Sequence, residues 1–274
     1  MPILTNPLTN STVVLNRAQP AISIITATFN ASSQLPDLIT SLRAQSDRDF
    51  EWIVIDGGST DSTVELLHGC GDLVTSMVSE PDFGIYHAIN KGIRLSRADY
   101  YLVVGADDRL AQHAIENFRS HSIRSKADII SAGISINGKV SYARSGRSWL
   151  HGMFAYVSGH SVGTLIRRNL HERFGEYSRR FPVAADMHFL KRVCQDPGTI
   201  VVRADFIAGE HGTVGISSTD KAATFCDCFR VQLETERGKL LQILIFVAKL
   251  LWRAPRIVAA ARLRGTASKR RDGP

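Results

Sequence analysis

The sequence predicts an α/β protein, a mostly parallel sheet with helices on its faces. Short β-branched runs alternate with helix-patterned stretches over the first two-thirds of the chain. The runs end in turn-forming and cap-forming residues rather than leading directly into one another. A length of 274 residues, 44% hydrophobic and 22% charged, provides one good-sized core with an appendage but not several full domains.

The elements follow in order. Ile22–Thr26 reads as a strand and Leu35–Arg43 as a helix. Trp52–Ile55 is a second strand ending at Asp56-Gly57-Gly58. Ser59-Thr60-Asp61-Ser62 then supplies N-cap residues for a helix through Glu65–Leu67. Leu73–Val78 reads as a third strand, Ile85–Leu95 as an amphipathic helix and Tyr100–Val104 as a fourth strand. Such alternation needs crossover connections. In sheets of that kind ligands bind beyond the carboxyl ends of the strands, so the loops after Ile25, Ile55, Val78 and Val104 are the places to look. The rhythm then changes. Asp128–Ile136 and Lys139–Arg144 flank Asn137-Gly138, a type I′ hairpin signal. Ser161–Arg167 adds a strand and Ala185–Val193 a helix.

The formal charge of +7 belongs to the end of the chain. Lys239–Pro274 carries nine Lys/Arg and one acid, which leaves 24 bases and 25 acids elsewhere. Such asymmetry points to a polyanionic partner, a membrane surface or a nucleic acid. Leu240–Trp252 is apolar except for Gln242 and Lys249. A bilayer span needs about 20 residues, so this run is too short to cross. Gln242, Lys249, Arg253 and Arg256 share one helical face, and Leu240, Leu241, Leu244, Val247 and Leu251 give it an apolar partner face. That pattern favours an anionic lipid surface and argues against nucleic acid. Cys70, Cys194, Cys226 and Cys228 make neither a disulfide framework nor a zinc spacing, and Met1–Pro20 lacks the order of a signal peptide. A cytoplasmic protein with reduced thiols is expected.

Asp107-Asp108 follows Tyr100–Val104 through Gly105-Ala106. Adjacent acids at a strand mouth form a hard-oxygen site for Mg²⁺ or Mn²⁺; the plainer reading is a pair of solvated loop acids. Asp56 either accepts a hydrogen bond from a base edge or caps its Asp-Gly-Gly-Ser turn. Asp186 opens a helix, as a general base or as a first-turn acid favoured by the dipole. His160 and His211 suit metal, phosphate or a structural hydrogen bond. The chain has no G-x-G-x-x-G, Walker, G-x-S-x-G or H-E-x-x-H motif.

The order of these signals is more specific than any one of them. Ile24–Asn30 (IITATFN), Val54–Asp61 (VIDGGSTD), Ser79–Gly92 (SEPDFGIYHAINKG) and Gly105–Asp108 (GADD) closely resemble the successive motifs of family 2 glycosyltransferases with the GT-A fold. The resemblance is densest over Ile22–Leu110 and returns in Ala184–Phe189 and Gly215–Ser217. It is nearest to bacterial enzymes of capsule, exopolysaccharide and cell-envelope glycolipid assembly. The resemblance implies that Thr28, Asn30 and Asp56 hold the nucleoside. Asp82, Asn90 and Lys91 would line the donor pocket, with Lys91 toward the phosphates. Asp107 and Asp108 would serve ribose and a divalent metal, and Asp186 would be the base of an inverting displacement. His160 falls where the family often has a His ahead of its acceptor-side strand. Ala106 removes the strict Asp-x-Asp, His87 stands where an Asp is common, Ala185 replaces a Glu, and Val214 replaces a Gly.

The resemblance implies a GT-A catalytic domain over 21–220, and composition and pattern set off a lead-in over 1–20 and a basic helical tail over 221–274. The resemblance implies a UDP- or dTDP-sugar donor and a glycan or lipid-linked acceptor, and the basic tail beside its apolar stripe implies a peripheral position on the inner face of the plasma membrane. Two alternatives remain open. A sugar nucleotidyltransferase would need a glycine-rich phosphate loop near the first strand, which is missing. A non-catalytic protein of the same fold would have little reason to keep Asp56, Asp107, Asp108 and Asp186 together.

Overall fold

A computed structural model describes residues 19–144, 146–212 and 221–252. Gly215–Ser217, Val214, Arg253 and Arg256 lie outside them.

The first half is a run of crossovers: β1 (Ile22–Thr28), α1 (Leu35–Arg43), β2 (Phe50–Asp56), α2 (Thr63–His68), β3 (Val74–Ser79), α3 (Ile85–Leu95) and β4 (Tyr100–Val103). Strands β3, β2, β1 and β4 lie side by side in that order, all parallel. Nearly every residue of β1 and β2 is buried, as both faces of a parallel sheet must be. Alternation divides the core in two. Ile22, Ile24, Trp52 and Val54 meet Leu35, Leu38 and Leu42 of α1 on one face, whereas Ile25 meets Ile89 and Ile93 of α3 on the other. Helix α3 lies so close to β1 that a Cβ on Gly92 would sit 2.5 Å from Ile25 Cγ2.

The second half continues through β5 (Arg109–Leu110), α4 (Ala114–Ser125), β6 (Ile129–Ile136), β7 (Lys139–Ser141), α5 (Ser148–His151), β8 (Thr164–Arg167), α6 (Leu170–Phe174), α7 (Ala185–Gln195), β9 (Val201–Glu210) and α8 (Lys221–Thr235). It extends the same sheet in the order β4-β8-β6-β9-β5 with mixed directions. Asn137 and Gly138 both have positive φ, 50° and 74°, so the hairpin between β6 and β7 turns as its Asn-Gly predicts. The strand expected over Ser161–Arg167 begins as a 3₁₀ turn, Ser161–Gly163, before β8.

Helix α8 packs on α7. Lys191, fully buried, donates to Gln232 and, at 2.6 Å, to Glu236. Residues 239–252 form a further helix. Of its expected polar face, Lys249 is exposed, whereas Gln242 is buried and donates to the Trp149 carbonyl of α5 at 3.0 Å. Phe246 stacks on Phe225 and Phe229 of α8. Leu240, Leu241, Leu244, Val247 and Leu251 are exposed. Among the described residues no helix is long and apolar enough to cross a membrane.

Candidate active site

The chain leaves β1, builds β2 and β3 on one side, and then crosses to place β4 on the other. The carboxyl ends of β1 and β4 therefore flank a topological switch point, where open α/β sheets bind ligands. Most of the acids singled out in the sequence gather around it.

Asp56 ends β2 with its carboxylate buried. Oδ1 accepts from Thr28 Oγ1 at 3.0 Å and from the Ser59 hydroxyl. Oδ2 accepts from the Gly58 and Ser59 amides at 3.1 and 2.9 Å and from Ser79 Oγ at 2.7 Å. Burial pushes this carboxyl up, but the bonds from Ser59, Ser79 and Thr28 outweigh it and hold the pKa below the usual value. Asp56 thus ties the ends of β1, β2 and β3 into one floor, and both readings of this residue meet there. Asn30, at a left-handed φ of 49°, crosses to the same loop: its Oδ1 accepts from the Thr60 amide at 2.8 Å. Asp82 lies against Gly57, where a Cβ would stand 2.9 Å from Oδ2, and its Oδ1 accepts from Gly84 N at 2.7 Å.

Asn90 and Lys91 are engaged differently. Asn90 is 4% exposed, and both ends of its amide bond the Tyr177 backbone, at 2.9 and 3.0 Å. It braces α3 against the loop before α7 and does not face open space. Lys91 pairs with Glu80.

Beyond β4, Asp108 is fully buried. Oδ2 accepts from Gly105 N at 2.7 Å, and Oδ1 from Gly212 N at 2.9 Å and from His211 Nδ1 at 3.2 Å. His160 Nδ1 stands 3.7 Å from Oδ2, and the His160 and His211 rings lie 3.7 Å apart between centroids, tilted by 31°. Burial raises the Asp108 carboxyl, while His211, His160 and the two amides draw it below its ordinary value. Burial lowers the His160 imidazole, which favours the neutral ligand form. Among the described residues, ligand atoms of Asp108, His160 and His211 lie within 4.8 Å of one another and could hold a metal ion. Asp107 borders the same group; a Cβ on Gly212 would come 2.2 Å from its carboxylate.

Asp186 sits in the first turn of α7. Its Oδ1 accepts from Tyr86 Oη and from Met187 N, both at 2.7 Å. Burial raises its pKa, opposed by the Tyr86 bond, by Met187 N and by the nearby His160. A small cavity touches Asp186 together with His160, Ser161, Thr164 and Tyr177, and is otherwise walled by apolar side chains including Val103, Met153 and Leu190. A carboxylate with a raised pKa beside a cation-competent cluster suits proton abstraction next to a leaving group. Nothing in the sequence singled out Tyr86. Its partner is 100 residues away along the chain, and only the fold joins them.

Comparisons with known proteins bear on the family and the fold. A PGL/p-HBAD biosynthesis glycosyltransferase of Mycobacterium bovis is 26% identical over 250 residues, 89% of this chain and 94% of that protein. Among solved structures, S. aureus TarS superimposes with a TM-score of 0.63 at 17% identity, covering 84% of this chain and 43% of that one. The mannosyltransferase PcManGT from Pyrobaculum calidifontis, in complex with GDP-Man and Mn²⁺, gives a TM-score of 0.61 at 17% identity, covering 92% and 80%. These likenesses carry the fold, which is GT-A. The description Glycosyl transferase family 2 matches residues 23–189, and the chain belongs to that family.

Proposed function

We propose that the protein is an inverting, metal-dependent transferase that moves a hexosyl group from a nucleoside-diphosphate sugar to an acceptor hydroxyl. The observation that carries the reading is the placement of the acids about the switch point: Asp56 ends β2, the Asp107–Asp108 pair follows β4 with its two histidines, and Asp186 lies near His160 of that cluster. The fold neighbour TarS in complex with UDP-GlcNAc, like PcManGT with GDP-Man, supports a nucleotide-sugar donor.

Thr28, Asn30 and Asp56 hold the nucleoside, with Asp56 reaching a base N–H as the Ser59 or Thr28 hydroxyl turns away. Asp82 borders the sugar end, and Asn90 serves the pocket by fixing Tyr177. Lys91 meets the phosphates by exchanging Glu80 for them. Asp107 takes ribose hydroxyls. Asp108, with His160 and His211, holds the cation. One carboxylate with two imidazoles suits Mn²⁺ better than Mg²⁺, which prefers oxygen ligands. When bound, such an ion neutralises charge on a departing diphosphate. Asp186 takes the proton of the attacking hydroxyl, and Tyr86 aims it by occupying one oxygen. A UDP- or dTDP-sugar is the expected donor. A glycan or lipid-linked acceptor in cell-surface polysaccharide or glycolipid biosynthesis is the expected target, on the cytoplasmic face of an anionic membrane; the mycobacterial relative's biosynthetic role supports a glycolipid.

Thermal shift against a panel of nucleotide sugars, with and without Mn²⁺, tests the reading. Stabilisation by one donor only in the presence of the ion, lost in Asp108→Ala, is expected. Equal stabilisation in EDTA would remove the cation from the account.

A further inference from the structure

The helix described over residues 239–252 presents an apolar stripe to solvent while its other side packs on α5 and α8. Leu240, Leu244, Val247 and Leu251 follow i, i+4, i+7, i+11 and so fall in one line along the helix. They are 71%, 60%, 44% and 68% exposed, and Trp252 at the end is 66% exposed. Gln242 and Phe246 lie on the opposite side, fixed to Trp149 and to the rings of α8. Burying a glutamine while exposing a row of leucines is the reverse of what water alone would select. The stripe therefore needs a cover of its own.

We infer that this stripe docks on an anionic lipid bilayer, with the helix lying in the interface plane. Charge complementarity selects the occupant. Residues 253–274, which follow Trp252 directly, contain seven Lys/Arg and one acid. A second copy on the stripe would bring two such basic segments together, whereas an anionic headgroup layer neutralises them. A tryptophan at the junction of an apolar face and a basic segment matches the amphipathic interface of a membrane. Docking has a consequence for the proposed active site. Trp149, which accepts from Gln242, belongs to α5, and Met153 just after α5 walls the cavity at Asp186. The lipid surface is thereby linked to the acceptor side, which deepens the transferase reading toward a membrane-bound acceptor.

Co-sedimentation of the full chain with phosphatidylcholine vesicles, with and without phosphatidylglycerol, tests the inference. Binding to the anionic vesicles is expected, and Leu244→Glu/Leu251→Glu should weaken it by at least about tenfold. The same samples should keep the Mn²⁺-dependent donor shift, so that loss of docking and failure of the transferase reading are told apart. Brominated lipid gives a second reading that needs no disruptive variant. It should quench part of the tryptophan emission, and Trp252→Phe should remove the quenched part. Vesicle binding unchanged in the double variant, no quenching, or a dimer of the intact chain that the variant dissolves without any vesicle binding would each overturn it.

Discussion

At the scale of single residues, the acids at the crevice divide by what holds them. Asp56 is saturated by internal donors, Asp108 by two amides and a histidine, and Asp186 shares one oxygen between Tyr86 and Met187. Only the last has its pKa raised, and it is the one assigned to proton transfer. Asp186→Asn should lower kcat by about 10²–10⁴ while leaving donor affinity in place; loss of donor binding together with stability would point to helix capping. Because the base works deprotonated, transfer should decline as pH falls through the raised Asp186 value. Tyr86→Phe removes a bond that favours the carboxylate, so the acidic limb of the kcat profile should move upward. At low pH kcat should fall about tenfold, as for loss of one charge-assisted hydrogen bond, with donor KM unchanged. Gly212→Ala should also be costly, since its Cβ meets the Asp107 carboxylate and main-chain oxygen at 2.2 and 2.3 Å. Weakened metal-dependent donor binding by calorimetry checks that. The acids themselves were legible in the sequence, because each follows a strand or opens a helix. Their partners were not. His160 and His211 reach Asp108 across 52 and 103 positions, and periodicity says nothing about contacts that distant.

At the scale of elements, β1 to β4 and α1 to α3 were readable nearly to the residue. Burial follows the helical period on α1, at Leu35, Leu38, Ile39 and Leu42, whereas β1 and β2 are near-continuous buried apolar runs. Helix α4 was not, because its buried residues are confined to Ala114, Ile115 and Phe118 and the remainder, apart from an exposed Ile123, is polar. Strand β9 escaped for a different reason. Its pairing with β6 is broken by register shifts, and Arg203 and Asp205 interrupt the apolar run. The terminal helix was legible as a helix, but its orientation depended on Gln242 finding the Trp149 carbonyl. Helix α8 supports the loop of Asp186: Asp227 accepts from Val183 N at 3.1 Å, and the Lys191–Glu236 pair clamps α8 to α7. Breaking a buried pair from one side costs about 3 kcal/mol or more, so Lys191→Ala should destabilise by that order in urea titration. Lys191→Met with Glu236→Leu should recover most of it, because no charge is then left stranded.

At the scale of the whole molecule, the parallel half and the mixed half share one sheet, and the crevice lies where they meet. Buried polar groups join them: Asn90 to the Tyr177 backbone, and Tyr101 Oη to His171 Nε2 at 2.6 Å and Tyr177 Oη at 2.9 Å. Burial holds His171 down to about 4 from 6.5. The unfolded chain therefore takes up that proton first, and the stability His171 confers is complete above pH 6.5 and lost as pH falls toward about 4. Thermal melts across that interval should show a shallower decline in His171→Gln.

The proposed reaction is a single displacement at the sugar carbon, with Asp186 as its base. Real-time proton NMR of turnover, with the donor identified by thermal shift, reads it directly from the anomeric signal of the first product. The opposite configuration to the donor is expected. Retention of the donor's configuration would contradict the account, because a single displacement driven by one general base cannot give it.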